Sequence, residues 1–143
     1  MVILGGKEVT NVLDLKTLKP KKGDTFPVVV GEVYDGDTFY AIYENKQIGR
    51  FIIDRFRVAR IDAPEMKKKR GEAETPEQAL NRKELALNAK HELMRLIGGK
   101  PNVMLSVTGQ CPYGRPICEV VVDGINVSDY LLEKGIVDTY KGK

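Results

Sequence analysis

Apolar and β-branched residues in the first half of the chain are grouped into short runs separated by turns. Residues 28–34 and 38–43 are rich in valine, isoleucine and aromatic side chains, and the pair Asp35-Gly36 lies between them. This pattern predicts a β-hairpin, because Asp-Gly suits the tight turn that joins two antiparallel strands. A third run, residues 51–59, follows a second polar turn and predicts the third strand of a meander.

The pattern then changes to helical spacing. Thr75 is a suitable N-cap, Pro76 suits the first helical position, and Gln78 completes a capping box three residues after the cap. Apolar residues recur along one face of the predicted helix: Ala79, Ala86, Ala89, Leu93, Leu96 and Ile97. The pair Gly98-Gly99 is typical of a helix end.

Two later apolar runs, residues 103–107 and 117–122, predict two more strands. Asn126 is placed to cap a short second helix over residues 127–134. The order is therefore three strands, a helix, two strands and a helix. This order matches the five-stranded OB-fold barrel, an α+β fold that is mainly β and often binds oligonucleotides.

The N-terminal residues do not share this pattern. A short helix beginning at Thr10 is compatible with the sequence there. We expect residues 1–25 to form an N-terminal extension that packs loosely on the domain. The OB-fold domain is predicted to comprise residues 26–143.

Composition and charge narrow the classes of function. A chain of 143 residues, 42% hydrophobic and 30% charged, is long enough for one globular domain with a core. Its apolar runs are far shorter than the roughly 18 residues that cross a bilayer, and we expect no membrane partner. The sequence shows no signal peptide, which predicts a cytoplasmic protein, or a secreted one if this is a trimmed mature form. The net charge of +3 permits a nucleic-acid partner without requiring one.

The few cysteine and histidine residues exclude several kinds of site. Cys111, Cys118 and His91 are too few for zinc ribbons, zinc fingers or histidine-rich metal sites. The two cysteines flank a predicted turn at 113–115 and could form a disulfide across a hairpin, but two free thiols are expected in a chain without a secretion signal. Serine or cysteine nucleophiles with a histidine–acid pair are not supported either.

Carboxylates stand where predicted strands end. Asp37 follows the Asp-Gly turn, and Asp62 lies where the third strand stops. Pro64 restricts Ala63 to an extended backbone and so fixes the direction of the Ala63 carbonyl. Asp37, Asp62 and that carbonyl are candidate oxygen ligands of calcium or magnesium. Glu65 is either a base for water at such a site or a surface acid, and an Asp-Gly-Asp alone is more often only a turn.

Two arginines complete the candidate chemistry. Arg57 lies in the third strand, and Arg115 follows Tyr113-Gly114 in the later turn. Each of them alone is also explained as an exposed or ion-paired arginine. Beside a divalent cation, however, two guanidinium groups can stabilise the additional negative charge of a pentavalent phosphorane. The combination favours phosphodiester hydrolysis.

The chain resembles the staphylococcal nuclease (thermonuclease) family from about Val29 to Tyr140. The resemblance rests on four segments: Asp35-Gly36-Asp37-Thr38, residues 57–65, Tyr113-Gly114-Arg115, and Asp123-Gly124 before the last helix. It implies an OB-fold barrel and a calcium-dependent phosphodiesterase of low base specificity. It further implies DNA and RNA as substrates and products that end in 3′-phosphates.

The resemblance also implies a role for individual residues. By position, Asp37, Asp62 and the Ala63 carbonyl resemble the calcium ligands, and Asp35 resembles the acid that supports them from the turn. Catalysis is then assigned to Arg57, Glu65 and Arg115, with Glu65 as the general base.

Substrate binding is predicted in exposed segments. Tyr113 resembles a phosphate-contacting tyrosine of the family. We expect the basic run that begins with Lys67 and Lys68 to attract the polyanion non-specifically.

Two functions follow from these observations. The first is a monomeric nuclease that prefers single-stranded or frayed nucleic acid. The alternative is a catalytically silent OB-fold nucleic-acid-binding module of the same family. Silent modules usually lose some of the acids or arginines, whereas this chain keeps each of them, which favours the enzyme.

Overall fold

The computed structural model describes residues 2–9, 19–68 and 70–141. Within these residues the elements are, in chain order, β1 (Val2–Leu4), β2 (Lys7–Val9), β3 (Thr25–Asp35), β4 (Thr38–Asn45), β5 (Arg50–Val58), β6 (Ile61–Asp62), α1 (Pro76–Ile97), β7 (Val103–Gln110), β8 (Pro116–Val122), β9 (Ile125–Asn126), α2 (Val127–Glu133) and β10 (Asp138–Thr139).

Five strands close into a barrel. They are hydrogen-bonded in the order β5-β4-β3-β7-β8, with antiparallel neighbours throughout. Strands β5 and β8 then pair in parallel, with Arg57 opposite Ile117 and Val58 opposite Cys118, and this pairing closes the barrel. The predicted OB-fold architecture, mainly β with two helices, is thereby confirmed.

The core fills the barrel interior from alternate strand positions. Phe39 of β4 and Phe56 of β5 are fully buried, and their rings stack with centroids 5.8 Å apart. Helix α1 packs against β3 and buries Leu93 and Ile97 completely. Strand residues alternate between interior and surface because successive side chains point to opposite faces of a strand.

The predicted ends of α1 are confirmed by hydrogen bonds. The Gln78 N–H donates to Thr75 Oγ1 at 3.1 Å, and the Thr75 N–H donates to Gln78 Oε1 at 3.0 Å. At the other end the Gly98 N–H donates to the Met94 carbonyl at 2.8 Å. The caps define where α1 begins and ends, and its contacts with β3 place it on the barrel.

A polar cluster holds the turn between β5 and β6. Arg60 lies in this turn with a left-handed φ of 69°, a backbone conformation that is unfavourable for an arginine. Its guanidinium donates two hydrogen bonds to Glu119, at 2.8 and 2.7 Å, and one to Asp129 at 2.9 Å. The buried Ser128 hydroxyl also donates to the Ala59 carbonyl at 2.7 Å. These contacts hold Ala59 and Arg60, and they therefore determine the position of β6, which follows the turn.

Some features near the N-terminus differ from the prediction or stay untested. The short helix predicted from Thr10 lies outside the described residues. Strand β3 begins at Thr25, one residue before the predicted domain start, and the division at this point stays a prediction. Lys19 pairs with Asp54 of β5 at 3.0 Å, so the described residues just before β3 contact the barrel.

The cysteines and the helices of the described residues bear on two predictions from composition. Cys111 and Cys118 are free thiols, as expected. Of the helices in residues 2–9, 19–68 and 70–141, none is both long and apolar enough to span a membrane.

The β3–β4 turn lies so close to α1 that only glycine fits at position 36. A Cβ on Gly36 would come within 2.6 Å of the Ala89 Cβ and 2.7 Å of the Ala63 Cβ. We expect Gly36→Ala to lower the free energy of unfolding by about 1–3 kcal/mol, as overpacking does. Denaturant unfolding measures this difference. Gly31→Ala in β3 is the matched control, since its Cβ would meet nothing closer than the Tyr40 carbonyl at 3.9 Å. Equal losses in both variants would contradict the close-packing argument.

The Arg60 cluster should make stability sensitive to acid. Hydrogen bonds from Arg60 hold the pKa of Glu119 below its ordinary value of 4.5. A carboxyl whose pKa is lowered by folding stabilises the folded state above the ordinary pKa, and this contribution is lost as the pH falls through the lowered value. We therefore expect the free energy of unfolding to fall below pH 4.5. The decrease should be smaller in Glu119→Gln, and identical acid profiles for the two proteins would contradict the assignment.

Candidate active site

Asp37 is the buried centre of the candidate site. It follows Gly36 in the β3–β4 turn, and its side chain is almost inaccessible, with the residue 5% exposed. One carboxylate oxygen accepts a hydrogen bond from the Thr38 hydroxyl at 3.0 Å. The other accepts the Ala63 N–H at 2.9 Å and pairs with the Arg57 guanidinium at 3.2 Å. A turn aspartate is usually exposed, so this burial sets Asp37 apart from a simple hairpin residue.

Arg57 joins Asp37 to Asp62. Its second terminal nitrogen lies 3.7 Å from an Asp62 carboxylate oxygen and donates to the Ile61 carbonyl at 3.1 Å. The Asp62 side chain is 53% exposed, so one of the two acids faces solvent while the other is buried. The register β4–β5 places Arg57 directly opposite Thr38, which explains how a strand arginine reaches the turn.

Tyr140 covers the outer side of Arg57. Strand β10 pairs with β6, with Asp138 opposite Asp62, and the Tyr140 N–H donates to the Arg60 carbonyl at 2.9 Å. The Arg57 guanidinium carbon therefore lies 5.0 Å from the centroid of the Tyr140 ring. Stacking of this kind stabilises a cation and restricts its orientation.

Asp35 supports the turn and adds to its negative charge. Its carboxylate accepts the Asp37 N–H at 3.0 Å. Burial first, and then the charge of Asp37, raise the pKa of Asp35 to about 7, and the charge of Glu65 contributes in the same direction. Carboxylates that repel one another in a partly buried place are the kind of donors that a divalent cation neutralises.

The predicted calcium ligands fit such a cation only together with backbone or water oxygens. In the parts of the chain that the structure describes, no three acidic, histidine or cysteine side chains are arranged to hold one metal ion. The predicted set has two side chains, Asp37 and Asp62, and the carbonyl of Ala63. The contact that Ala63 itself makes with Asp37 is through its N–H. An oxygen site of this composition suits calcium, which accepts carbonyl and water ligands readily.

Arg115 reaches the acids indirectly, through Thr38. Its terminal nitrogen donates to the Thr38 hydroxyl oxygen at 3.2 Å. Its Nε is buried, and the described residues offer it no hydrogen-bond acceptor. The turn that carries it is closed by the Cys111 N–H, which donates to the Arg115 carbonyl at 2.8 Å. A buried guanidinium nitrogen without an acceptor suggests a position that an incoming anion satisfies.

Glu65 lies at the edge of the same region, on a loop held by α1. Arg82 of α1 donates to the carbonyls of Glu65 and Met66, at 3.2 and 2.6 Å, and pairs with Glu74 at 2.7 Å. The Glu65 side chain is exposed, as a group that exchanges protons with water needs to be. Glu65 follows Ala63 by two residues, so its backbone lies next to the predicted ligands in the chain.

The predicted substrate-binding residues are exposed. Tyr113 is 91% exposed at the tip of the β7–β8 turn, so its ring does not pack against the acids. Lys67 and Lys68 are also exposed. Lys67 and Glu65 both border a cleft of about 330 Å³ beside α1, whose lining does not include Asp37, Arg57 or Arg115. A larger cleft of about 890 Å³ includes none of the predicted site residues.

The structure thus brings most of the predicted residues together. The residues in mutual contact are Asp35, Asp37, Arg57, Asp62 and Ala63. Arg115 joins them through Thr38, a residue to which sequence reasoning gave no role of its own. Its place directly after Asp37 in the turn motif was the available signal. The contact of Tyr140 with Arg57 was also not predicted, because it depends on the pairing of β10 with β6.

The chain is similar to one known protein family. A family model described as staphylococcal nuclease homologue matches residues 55–143, more than half of the chain. The matched segment contains Arg57, Asp62, Glu65 and Arg115, whereas Asp35 and Asp37 precede it. A search of curated proteins finds no match. The family match supports a nuclease-like or nucleic-acid-binding function in general. The chain belongs to the staphylococcal nuclease homologue family.

Proposed function

We propose that this protein is a calcium-dependent nuclease that hydrolyses DNA and RNA with low base specificity and leaves 3′-phosphate ends. The observation that carries the proposal is the position of the two arginines on either side of a buried acid. Arg57 pairs directly with Asp37, and Arg115 is linked to Asp37 through the Thr38 hydroxyl. Two guanidinium groups beside a carboxylate cluster can bind the oxygens of a phosphodiester next to a divalent ion.

In this proposal Asp37, Asp62 and the Ala63 carbonyl hold calcium, and Asp35 keeps the Asp37 backbone in place. Bound there, the ion supplies Lewis acidity toward a phosphoryl oxygen. Arg57 and Arg115 hold the non-bridging oxygens and meet the charge that develops on them. The buried Nε of Arg115 gains an acceptor when a phosphate oxygen reaches it.

Glu65 acts as the general base in this scheme. It accepts a proton from the water that attacks phosphorus, and the bond from phosphorus to the 5′-oxygen breaks. The phosphate stays on the 3′-oxygen, and the 5′-oxygen leaves as a hydroxyl after protonation. Lys67 and Lys68 on the same loop attract the strand by its charge, independently of sequence. We further propose that the protein acts as a monomer and prefers single-stranded or frayed substrates, whose backbone is accessible.

Calcium dependence is the first test of the proposal. We expect the purified chain to cleave single-stranded DNA and RNA in calcium and to lose this activity in excess chelator. Product ends analysed by mass spectrometry should carry 3′-phosphates. Cleavage that persists in chelator would contradict the proposed site. Calcium-independent binding of the same oligonucleotides without any cleavage would favour the silent binding module instead.

Asp37→Asn tests the ligand assignment within this experiment. Asparagine keeps the size of the side chain and one acceptor but removes the charge. Since even residues that only support a metal ligand cost 10–100-fold in affinity when changed, we expect calcium affinity to fall at least tenfold. Asp54→Asn is the matched control, because Asp54 pairs with Lys19 elsewhere on the barrel. Calorimetric titration with calcium measures both variants, and equal affinities would refute the assignment.

Arg115→Lys separates transition-state stabilisation from attraction of the polyanion. Lysine keeps the charge but loses the planar fork that bonds two oxygens at once. We expect single-turnover cleavage to fall by about a thousandfold, the scale for arginines that stabilise phosphoryl transfer. Affinity for an uncleavable oligonucleotide should change far less, because the interaction strengthens as charge develops. Arg95→Lys, on the exposed face of α1, is the control. Equal losses in rate and in binding would remove Arg115 from the catalytic residues.

A further inference from the structure

Thr38 occupies a position between the two catalytic arginines that the roles assigned above do not explain. It is 2% exposed at the start of β4, and it lies directly opposite Arg57 in the β4–β5 register. Its hydroxyl donates to Asp37 at 3.0 Å and accepts from Arg115 at 3.2 Å. The buried Thr38 hydroxyl therefore connects Asp37 to Arg115, which lies 77 residues further along the chain.

The direction of these hydrogen bonds determines what Thr38 offers to Arg115. A hydroxyl has one proton and two lone pairs. Because the carboxylate of Asp37 can only accept, the proton is directed to Asp37, and the lone pairs remain for the Arg115 guanidinium. Through Asp37 the same chain of contacts reaches Arg57 at 3.2 Å. The orientation of one arginine is therefore linked to that of the other.

The Thr38 hydroxyl is the main group that holds the Arg115 guanidinium in place. Among the described residues, Arg115 has no acidic side chain within ion-pair distance, and its Nε has no acceptor. A carboxylate partner would neutralise the guanidinium and compete with a phosphate for it. A neutral hydroxyl orients the group and leaves its charge available.

We propose that Thr38 is a positioning residue for Arg115. It fixes one terminal nitrogen of the guanidinium and so restricts the orientation of the whole group, including the Nε that has no acceptor among the described residues. The proposal deepens the nuclease function above and rests on it. A side chain that fixes a catalytic group in this way matters because a displacement of about 1 Å can cost about a hundredfold in rate.

Thr38→Val and Thr38→Ser test this role. Valine keeps the β-branched shape in the strand and removes both hydrogen bonds, whereas serine keeps the hydroxyl. We expect single-turnover cleavage to fall about a hundredfold in Thr38→Val and to stay within about threefold of the parent in Thr38→Ser. The affinity for an uncleavable oligonucleotide should change less than about threefold in both. Thr25→Val is the matched control, because among the described residues its hydroxyl bonds to Ser106, at the far end of β3. We expect it to cleave normally.

A double-mutant cycle distinguishes an effect through Arg115 from an effect through Asp37. In the Arg115→Lys background, Thr38→Val should cost at most about threefold, because the group that it positions is already altered. A full hundredfold loss in that background would overturn the proposal. So would a large fall in calcium affinity that accounts for the loss of rate, because Thr38 would then act on the metal ligand.

A spectroscopic measurement keeps the test independent of cleavage. The Nε–H resonance of Arg115, identified by its absence in Arg115→Lys, should shift in Thr38→Val and stay in place in Thr38→Ser. An unchanged resonance in Thr38→Val would refute the contact whether or not the protein is a nuclease. If Thr38→Val does not fold, Thr38→Ala replaces it with the same expected results. A parent protein that does not cleave at all would contradict the proposed function instead.

Discussion

The carboxylate of Asp37 is buried between the β3–β4 turn, strand β5 and the segment that follows β6. A buried charge is costly unless hydrogen bonds and an opposite charge compensate for it. Here the compensation comes from Thr38, Arg57 and the Ala63 N–H. Thr38 also bonds to Arg115, Arg57 also lies near Asp62, and the Ala63 N–H belongs to the residue whose carbonyl is a predicted ligand. The partners that Asp37 needs for its own burial therefore bring Asp62, Arg115 and the Ala63 backbone into one place.

Close packing against α1 holds this arrangement in position. The turn residue Gly36 lies against Ala89 of the helix and against Ala63, and all three are small. The same helix holds the Glu65 loop through Arg82, which donates to two carbonyls there. One helix thus positions both acidic segments, which are far apart in the sequence. Its own placement follows from its caps and from the apolar stripe that packs on β3.

The local features of the fold could be predicted because each is decided within a few residues. The Asp35-Gly36 turn and the Thr75–Gln78 capping box are both signals of this kind. The predicted end of the third strand at Asp62 is wrong: the strand ends at Val58, and Asp62 belongs to the short strand β6 after the Arg60 turn. The order of strands and helices then indicated the barrel. The residue types of the site, acids at strand ends and two arginines, were also visible in the sequence, because acids and arginines are the residues that suit calcium and phosphate.

The remaining features depend on contacts between distant segments. Thr38 has a partner 77 residues away, and nothing near it in the sequence reveals Arg115. The Tyr140 ring reaches Arg57 only because two short strands, β6 and β10, pair. The burial of Asp37 likewise depends on distant segments, because its carboxylate contacts Arg57 of β5 and the Ala63 N–H after β6. Sequence patterns identify candidate functional residues, whereas the strand register of the barrel determines which side chains contact one another.

The two arginines of the site have different electrostatic surroundings, and this difference suggests different tasks. Arg57 is paired with two carboxylates and covered by Tyr140, so much of its charge is already balanced within the protein. Arg115 is held by a neutral hydroxyl and retains its charge and a buried donor. Under the proposed function, Arg57 stabilises the acid cluster as well as the phosphate, whereas Arg115 is directed to the substrate. A guanidinium that is oriented without being neutralised gains most when negative charge develops beside it, because no carboxylate among the described residues pairs with Arg115.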